Sequence, residues 1–300
     1  MIALKDIFTR QAPKVLYHYT DANSFLGIVG NKELWASHIR FMNDLKEETL
    51  ALDILGKILV NSLHEKHLNA DDVLKYVKDF FAKETVKKDI FILSFSENRD
   101  DLNQWRGYAN KIPAYCIGFD VEKLIAPLDN KTDIEIIKKS LRGSLGDNES
   151  KSLKFLLHCI YEKEEQENLL DEVIKDSQNY LDESSYTERQ LGKEIANRLV
   201  FYSPLIKHKM SESEKEWRII IVNRDSDNAE QCNFRMGKSF IIPYFKFHFE
   251  KACFKEFIIG ACPDKESVKE STIYFLSKKG FSYSEAEDII KFTNNPYRNW

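Results

Sequence analysis

Short apolar runs alternate with amphipathic stretches along most of the chain. Runs rich in strand-forming residues predict strands at 14–20, 33–37, 89–96, 114–119, 216–222, 239–242 and 254–259. Apolar residues three and four positions apart predict helices at 22–30, 45–63, 71–87, 102–109 and 267–278. Strands near both ends, with helices in the middle, favour an α+β fold with a mixed or antiparallel sheet.

The composition of the sequence changes between residues 130 and 199. This stretch has no proline, carries dense charges of both signs and repeats its apolar residues at helical spacing. The spacing is seen in Ile134, Ile137 and Leu141, and again in Leu153, Leu156, Leu157 and Ile160. We therefore predict one α+β domain over 1–300 that contains a helical insertion at 130–199.

Composition narrows the class of protein. The 300 residues are 43% hydrophobic, enough for a large core, and the net charge is −4. That charge argues against binding to nucleic acid mainly through a basic surface, but it does not exclude a nucleic-acid substrate bound by a local patch. Five cysteines without a CxxC pair indicate free thiols in a reducing compartment. With no signal-peptide core and no run of about 18 apolar residues, we expect a cytoplasmic protein without a membrane partner.

The strand at 14–20 carries the first candidate group. Because side chains alternate along a strand, His18 and Thr20 share one face and Tyr19 lies on the other. This pair could hydrogen-bond a ribose diol in a cleft. The alternative is a structural histidine satisfied by a backbone carbonyl, and spacing alone favours that alternative.

The late strand at 216–222 carries the second candidate. Glu216 and Arg218 share a face, and an unpaired carboxylate beside this apolar run would be costly to bury. Glu216 is therefore at the exposed start of the strand, paired with an arginine, or functional. Taken alone, the pattern favours an ion pair.

Two further features have both a structural and a functional interpretation. Trp105 and Tyr108 lie one helical turn apart and are either core aromatics or a shelf for a flat ring. Asn43 and Asp44 either cap the helix that follows or point polar groups into a cleft. The chain contains no GxGxxG, P-loop, HExxH or GxSxG motif and no metal-ligand cluster, so we expect no metal.

Several segments in order resemble a known bacterial family. They are YHYT, GNKELWAS, FMNDLKEE, LSFSENRDDLNQWRGYA, AYCIGFD, EKEWRIII and FIIGACPD. Together they resemble the domain-of-unknown-function family 2971 over most of the chain, with 130–199 as the variable middle of the family.

The opening strand, helix, glycine and strand are also similar to the first motif of ADP-ribosyltransferases. That resemblance implies an α+β fold and NAD as substrate, with His18 holding a ribose and Glu216 bonding the 2′-hydroxyl of the nicotinamide ribose. It adds Tyr19, Thr20 and Arg218, together with Asn43 and Asp44, as NAD-binding candidates. Trp105 or Tyr108 would stack on nicotinamide, and Ser94-Phe95-Ser96 only partly matches the Ser-Thr-Ser of one branch.

The resemblance implies transfer of ADP-ribose to a protein or nucleic acid acceptor, or hydrolysis of NAD. It further suggests a toxin or phage-defence effector with an antitoxin or regulatory partner. The alternatives are an inactive nucleotide- or nucleic-acid-binding module of the same fold, and an interaction protein that acts through its helical middle region.

Overall fold

A computed structural model describes residues 10–42, 45–64, 67–108, 113–126, 152–181, 186–223, 232–237 and 239–295. Within them, ten strands form one sheet in which all pairs but one are antiparallel, and helices pack on both faces. This confirms the predicted α+β class with a mixed, mainly antiparallel sheet. The strands are β1 Val15–Asp21, β2 Glu33–His38, β3 Ile90–Ser96, β4 Ala114–Asp120, β5 Ser152–His158, β6 Glu216–Asn223, β7 Asn233–Met236, β8 Ile241–His248, β9 Phe254–Ile259 and β10 Ile290–Phe292.

Most described helices lie where the apolar spacing placed them. They are α1 Ala22–Asn31, α2 Leu45–Ser62, α3 Ala70–Lys87, α4 Leu102–Tyr108, α5 Val121–Ile125, α6 Lys163–Tyr180, α7 Glu188–Tyr202, α8 Lys265–Ser277 and α9 Tyr283–Ile289. Their starts follow ordinary capping chemistry, since the Asp21 carboxylate accepts from Ser24 N at the start of α1. Thr187 and Gln190 form a reciprocal capping box at the start of α7.

The sheet splits into two arms beside strand β3. One edge of β3 pairs with β6 along its whole length, and β6 pairs in turn with β5. The other edge pairs with β2 near Phe91 and with β1 only at Ser96. From there one arm runs through β1, β4, β9 and β10, and the other through β2, β8 and β7. The arms separate at the residues of β1 that follow Tyr17.

Two apolar cores lie on opposite faces of this sheet. We call the face that carries Ser96, Glu216 and Arg218 the front, and the face that carries Phe95 and Trp217 the back. On the front, α2, α3, α6 and α7 pack over β3, β5 and β6. On the back, α1, α5, α8 and α9 pack over both arms.

Helices α3 and α7 approach each other closely at Gly192. A Cβ atom placed there would lie 2.6 Å from the Tyr76 Cβ and 3.0 Å from the Val73 carbonyl oxygen. Because real Cβ atoms do not come that near to other heavy atoms, this contact requires glycine. The missing side chain thus sets the spacing within the front helical layer.

The helical prediction for 130–199 is wrong for one part of it. Residues 152–158 form β5, which extends the sheet beside β6, whereas α6 and α7 are helical as predicted. Leu153, Phe155 and Leu157 are buried at every second position, and their period of two was hidden by the extra leucine at 156. The apolar positions at 134–141 lie outside the described residues.

The first part of the segment that follows α9 is held by contacts with two other parts of the chain. Strand β10 pairs in parallel with β9. The Asp100 carboxylate accepts hydrogen bonds from Thr293 Oγ1 at 2.6 Å and from the backbone N–H of Asn294 at 2.8 Å. Burial alone would raise the pKa of Asp100, but these bonds and one from Trp105 outweigh it and lower the pKa. We call this contact the Asp100 clasp.

All five cysteines are free thiols, and Cys232 is the one that is not fully buried. This agrees with the prediction of free thiols. Among the described helices, none combines the length and the apolar character that crossing a membrane requires.

Candidate functional site

Three adjacent strands bring the sequence candidates into one region. Tyr17 of β1 pairs with Ser96 of β3, and Ser96 pairs with Glu216 of β6. Two strand spacings therefore separate Tyr17 from Glu216, about 10 Å between Cα atoms. The candidate histidine follows Tyr17 directly, so the strand that carries His18 and the strand that carries Glu216 meet at the same end of the sheet.

His18 lies where β1 separates from β3. Its Nδ1 is 3.1 Å from the Ser94 carbonyl oxygen, and its ring packs edge-on against Phe95. A carbonyl only accepts hydrogen bonds, so Nδ1 carries the proton and Nε2 of the neutral ring is an acceptor. Burial lowers the pKa of His18, and the bond to Ser94 opposes that change only in part. This is the structural role that the spacing favoured, and it leaves one ring nitrogen available.

The neighbours of His18 have structural partners. Tyr19 donates its hydroxyl to the Asn98 carbonyl at 2.7 Å and accepts the backbone N–H of Asp101 at 2.9 Å. Burial raises its pKa. Thr20 is buried and lies opposite Tyr115 of β4. Tyr19 therefore holds the loop before α4, and Thr20 belongs to the interior of the back face.

Glu216 lies in a buried network of charges. Its Oε2 accepts from Lys207 Nζ at 2.6 Å, and its Oε1 accepts from Arg218 Nε at 2.7 Å. Burial alone would raise the pKa of Glu216, but the positive charges of Arg218 and Lys207 outweigh it and lower the pKa to about 2. Glu216 is thus ionised at any physiological pH, and it forms the ion pair with Arg218 that alternation indicated.

Lys207 connects two carboxylates. Its Nζ donates to Glu214 Oε2 at 2.7 Å as well as to Glu216, and its side chain is only 5% exposed. Its backbone is fixed on both sides, since its N–H donates to the Ile160 carbonyl and its own carbonyl accepts from Gln166 Nε2 at 2.7 Å. We call Lys207, Glu214, Glu216 and Arg218 the charge network.

Sequence reasoning missed two members of this network. Lys207 and Glu214 come from the segment between α7 and β6, where the residues look solvated. Glu214 ends the 3-10 helix Lys209–Glu214 and Lys215 has a left-handed backbone, so the alternation along β6 does not extend to Glu214. Nothing in the local sequence of Lys207 indicates that it is buried.

The two candidate aromatics have different environments. Trp105 is 2% exposed, packs edge-on against Tyr19 and donates its indole N–H to Asp100 Oδ1 at 2.7 Å. Tyr108 is 56% exposed. Burial of its hydroxyl raises its pKa, and the negative charges of Glu216 and Glu214 raise it further. Trp105 is therefore a core residue, whereas Tyr108 has an accessible ring and a hydroxyl near the charge network.

The structure brings some candidates together and not others. Glu216, Arg218 and Tyr108 form a cluster on the front. The register puts Tyr17 on that face, so alternation directs His18 away from Glu216, toward Phe95 on the back. Asn43 and Asp44 lie outside the described residues. Among the described residues, no group of three His, Cys, Asp or Glu side chains could hold a metal ion.

Comparison with known proteins gives one match. Neither a search of curated proteins nor a search of solved structures returned a significant match. Residues 104–219, which run from α4 into β6 and include Tyr108, Lys207 and Glu216, match the model of a family described as "Protein of unknown function (DUF2971)". Over that segment, the resemblance to the family of unknown function 2971 is supported.

Proposed function

We propose that the protein is an ADP-ribosyltransferase-like enzyme that uses NAD and cleaves its nicotinamide–ribose bond beside Glu216. The observation that carries the proposal is the pairing of an ionised carboxylate at the start of β6 with the accessible ring of Tyr108. The first supplies a fixed negative charge, and the second supplies a surface on which nicotinamide can stack.

The reaction breaks the bond between ribose C1′ and the nicotinamide nitrogen. The bonding electrons leave with nicotinamide, which becomes neutral, and positive charge builds up at C1′ in the transition state. Glu216 would stabilise that charge by accepting a hydrogen bond from the 2′-hydroxyl. Water or an acceptor group then bonds to C1′ and releases its proton to solvent. His18 faces the back of the sheet, away from Glu216, so it takes no part in this step.

The charge network limits how a ribose hydroxyl can reach Glu216. Both oxygens of Glu216 already accept hydrogen bonds from cations. A ribose hydroxyl must therefore replace the bond from Lys207 to Oε2 or share that oxygen. The two cations would then lie close to the pyrophosphate or the ribose of the dinucleotide.

Release of nicotinamide from labelled NAD tests the proposal. We expect turnover by the intact chain, a loss of roughly a hundredfold or more in Glu216→Gln, and a rise in KM in Tyr108→Ala. Glu194→Gln is the matched control, because it breaks another buried carboxylate–arginine pair, with Arg198 on α7, and should keep full activity. Unchanged turnover in Glu216→Gln would exclude this residue as the catalytic carboxylate.

Both carboxylate oxygens of Glu216 already accept hydrogen bonds, and this also favours a second candidate function. The protein would then bind a nucleotide without cleaving it. In that case the charge network would stay intact, and Tyr108 would stack on the base of the bound nucleotide. Calorimetry with NAD separates the candidates, because a silent module would bind NAD with heat release but produce no nicotinamide.

The proposal extends to biological context through the same resemblance. A bacterial, cytoplasmic enzyme of this kind would modify a macromolecular acceptor or deplete NAD, and would arrest growth as a toxin or phage-defence effector controlled by an antitoxin or regulatory partner. The free thiols suit a reducing compartment. Induced expression in bacteria should slow growth for the wild-type chain and not for Glu216→Gln. Equal growth of both strains would remove the toxin role.

A further inference from the structure

On the arm formed by β2, β8 and β7, the front of the sheet carries an exposed aromatic ring among charged side chains. The register places Glu33, Trp35, Tyr244, Lys246, His248 and Arg235 together on it. The front helical layer covers β3, β5 and β6, but Trp35 on this arm is 46% exposed. An indole is a large apolar group to leave in contact with water on a sheet surface.

Trp35 is held flat and rigid. Its ring stacks on Tyr244 with ring centres 4.4 Å apart and planes 26° from parallel. Its indole N–H donates to Glu33 Oε1 at 2.9 Å. Tyr244 is buried beneath it, so one side of the indole is covered by protein. Such a ring offers a pre-positioned flat surface to a ligand, with little conformational entropy to lose on binding.

Positive groups flank this ring on the neighbouring strands. Lys246 lies directly opposite Trp35, and its side chain is 38% exposed. Arg235 donates from Nη2 to Ser37 Oγ at 2.9 Å, and its Nε is buried without an acceptor among the described residues, so a phosphate would meet the outer end of its guanidinium. Glu33 is the acid facing them, and it already accepts from Trp35 and lies 3.6 Å from Lys246. The described side chains of this surface thus combine one aromatic plane with a slight excess of positive charge.

We propose that this surface, which we call the Trp35 platform, binds single-stranded nucleic acid, with one base stacked on Trp35 and neighbouring phosphates bound by Arg235 and Lys246. Every base has a flat face that can stack on an aromatic ring, and cations beside the ring suit the backbone. A protein partner is a poorer fit, because the exposed Phe234, Met236 and Ile241 of this arm point to the back face, away from Trp35. The inference does not depend on the proposed NAD chemistry.

Fluorescence anisotropy of the full chain with a labelled single-stranded 12-nucleotide DNA and RNA tests the platform. We expect saturable binding in low salt, with log K falling against log salt at a slope near −1.4 for about two phosphates. Trp35→Ala should weaken binding by about five- to a hundredfold, while Trp35→Phe should keep most of it. Lys246→Gln should weaken binding and flatten the salt slope.

A matched control is available on the other side of the protein. Tyr274 on α8 is 59% exposed and has Lys278 Nζ 5.0 Å from its ring centre, so it is another surface aromatic beside a cation. Tyr274→Ala should leave binding unchanged. Absence of binding, an equal loss in Tyr274→Ala, or equally tight binding of a duplex with no free base faces would overturn the proposal. A change of oligomeric state on Trp35→Ala would also overturn it, since it would identify the occupant as a second copy of the chain.

Discussion

The charge network makes a quantitative prediction about acid stability. In the folded protein the pKa of Glu216 is about 2, below its ordinary value of 4.5, and the residue is almost completely buried. That difference corresponds to about 3 kcal/mol of folding free energy at neutral pH. Because the folded pKa is the lower one, this stability is present above pH 4.5 and is lost as the pH falls toward 2. About 2 kcal/mol of it should be lost by pH 3.

The perturbation that isolates this contribution is Glu216→Gln. At pH 7 the variant should be less stable by about 3–5 kcal/mol, because it leaves Lys207 and Arg218 buried with one carboxylate fewer. Since glutamine does not titrate, the difference in stability between wild type and variant should shrink by about 2 kcal/mol between pH 7 and pH 3. Urea unfolding curves at several pH values measure both quantities.

Glu194→Gln serves as the control for this experiment too. It breaks the buried pair with Arg198 on α7 but keeps Glu216, so it should retain the acid-dependent loss that Glu216 carries. A difference between wild type and Glu216→Gln that stays constant from pH 7 to pH 3 would refute the reasoning. It would mean that Glu216 has the same proton affinity in the folded and unfolded chains.

Three further predictions concern helix packing, helix α4 and the Asp100 clasp. Gly192→Ala should destabilise the protein by about 1–3 kcal/mol in urea unfolding, because the new methyl group meets Tyr76. At Gly107, a new Cβ atom would have no other atom within 4 Å, so Gly107→Ala should stabilise the protein by about 0.5–1 kcal/mol. A loss of stability in this variant would contradict the assignment of helix α4. Asp100→Ala should speed hydrogen exchange of the backbone amides at 293–295, which mass spectrometry measures. Unchanged exchange rates would show that other contacts hold this segment.

Much of the fold could be predicted because the apolar pattern of each element matches its environment. Strand β3 is buried on both faces and reads as the continuous apolar run 90–96. Helices α2 and α3 each bury one stripe and show the spacing of a helix. Strand β5 was mistaken for helix, because its leucines satisfy both periods and only its partner β6 decides between them.

The candidate site was less predictable because it depends on contacts between distant parts of the chain. Alternation correctly placed Glu216 beside Arg218, since that contact is local. Lys207 reaches the same carboxylate only because Ile160 and Gln166 fix its backbone, which no local pattern encodes. The side of the sheet on which His18 lies relative to Glu216 likewise depends on the register of β1, β3 and β6.

The Asp100 clasp has a consequence for the order of events during synthesis. Asp100 lies just before α4, the helix that carries Tyr108. Apart from the nearby indole of Trp105, the groups that bind its carboxylate are 193 to 195 positions further along the chain. A nascent polypeptide cannot close this contact until Thr293 and its neighbours have left the ribosome. We therefore expect the aromatic side of the candidate site to be among the last regions to become ordered in a newly made molecule, which would delay any activity at Glu216 until translation has passed that point.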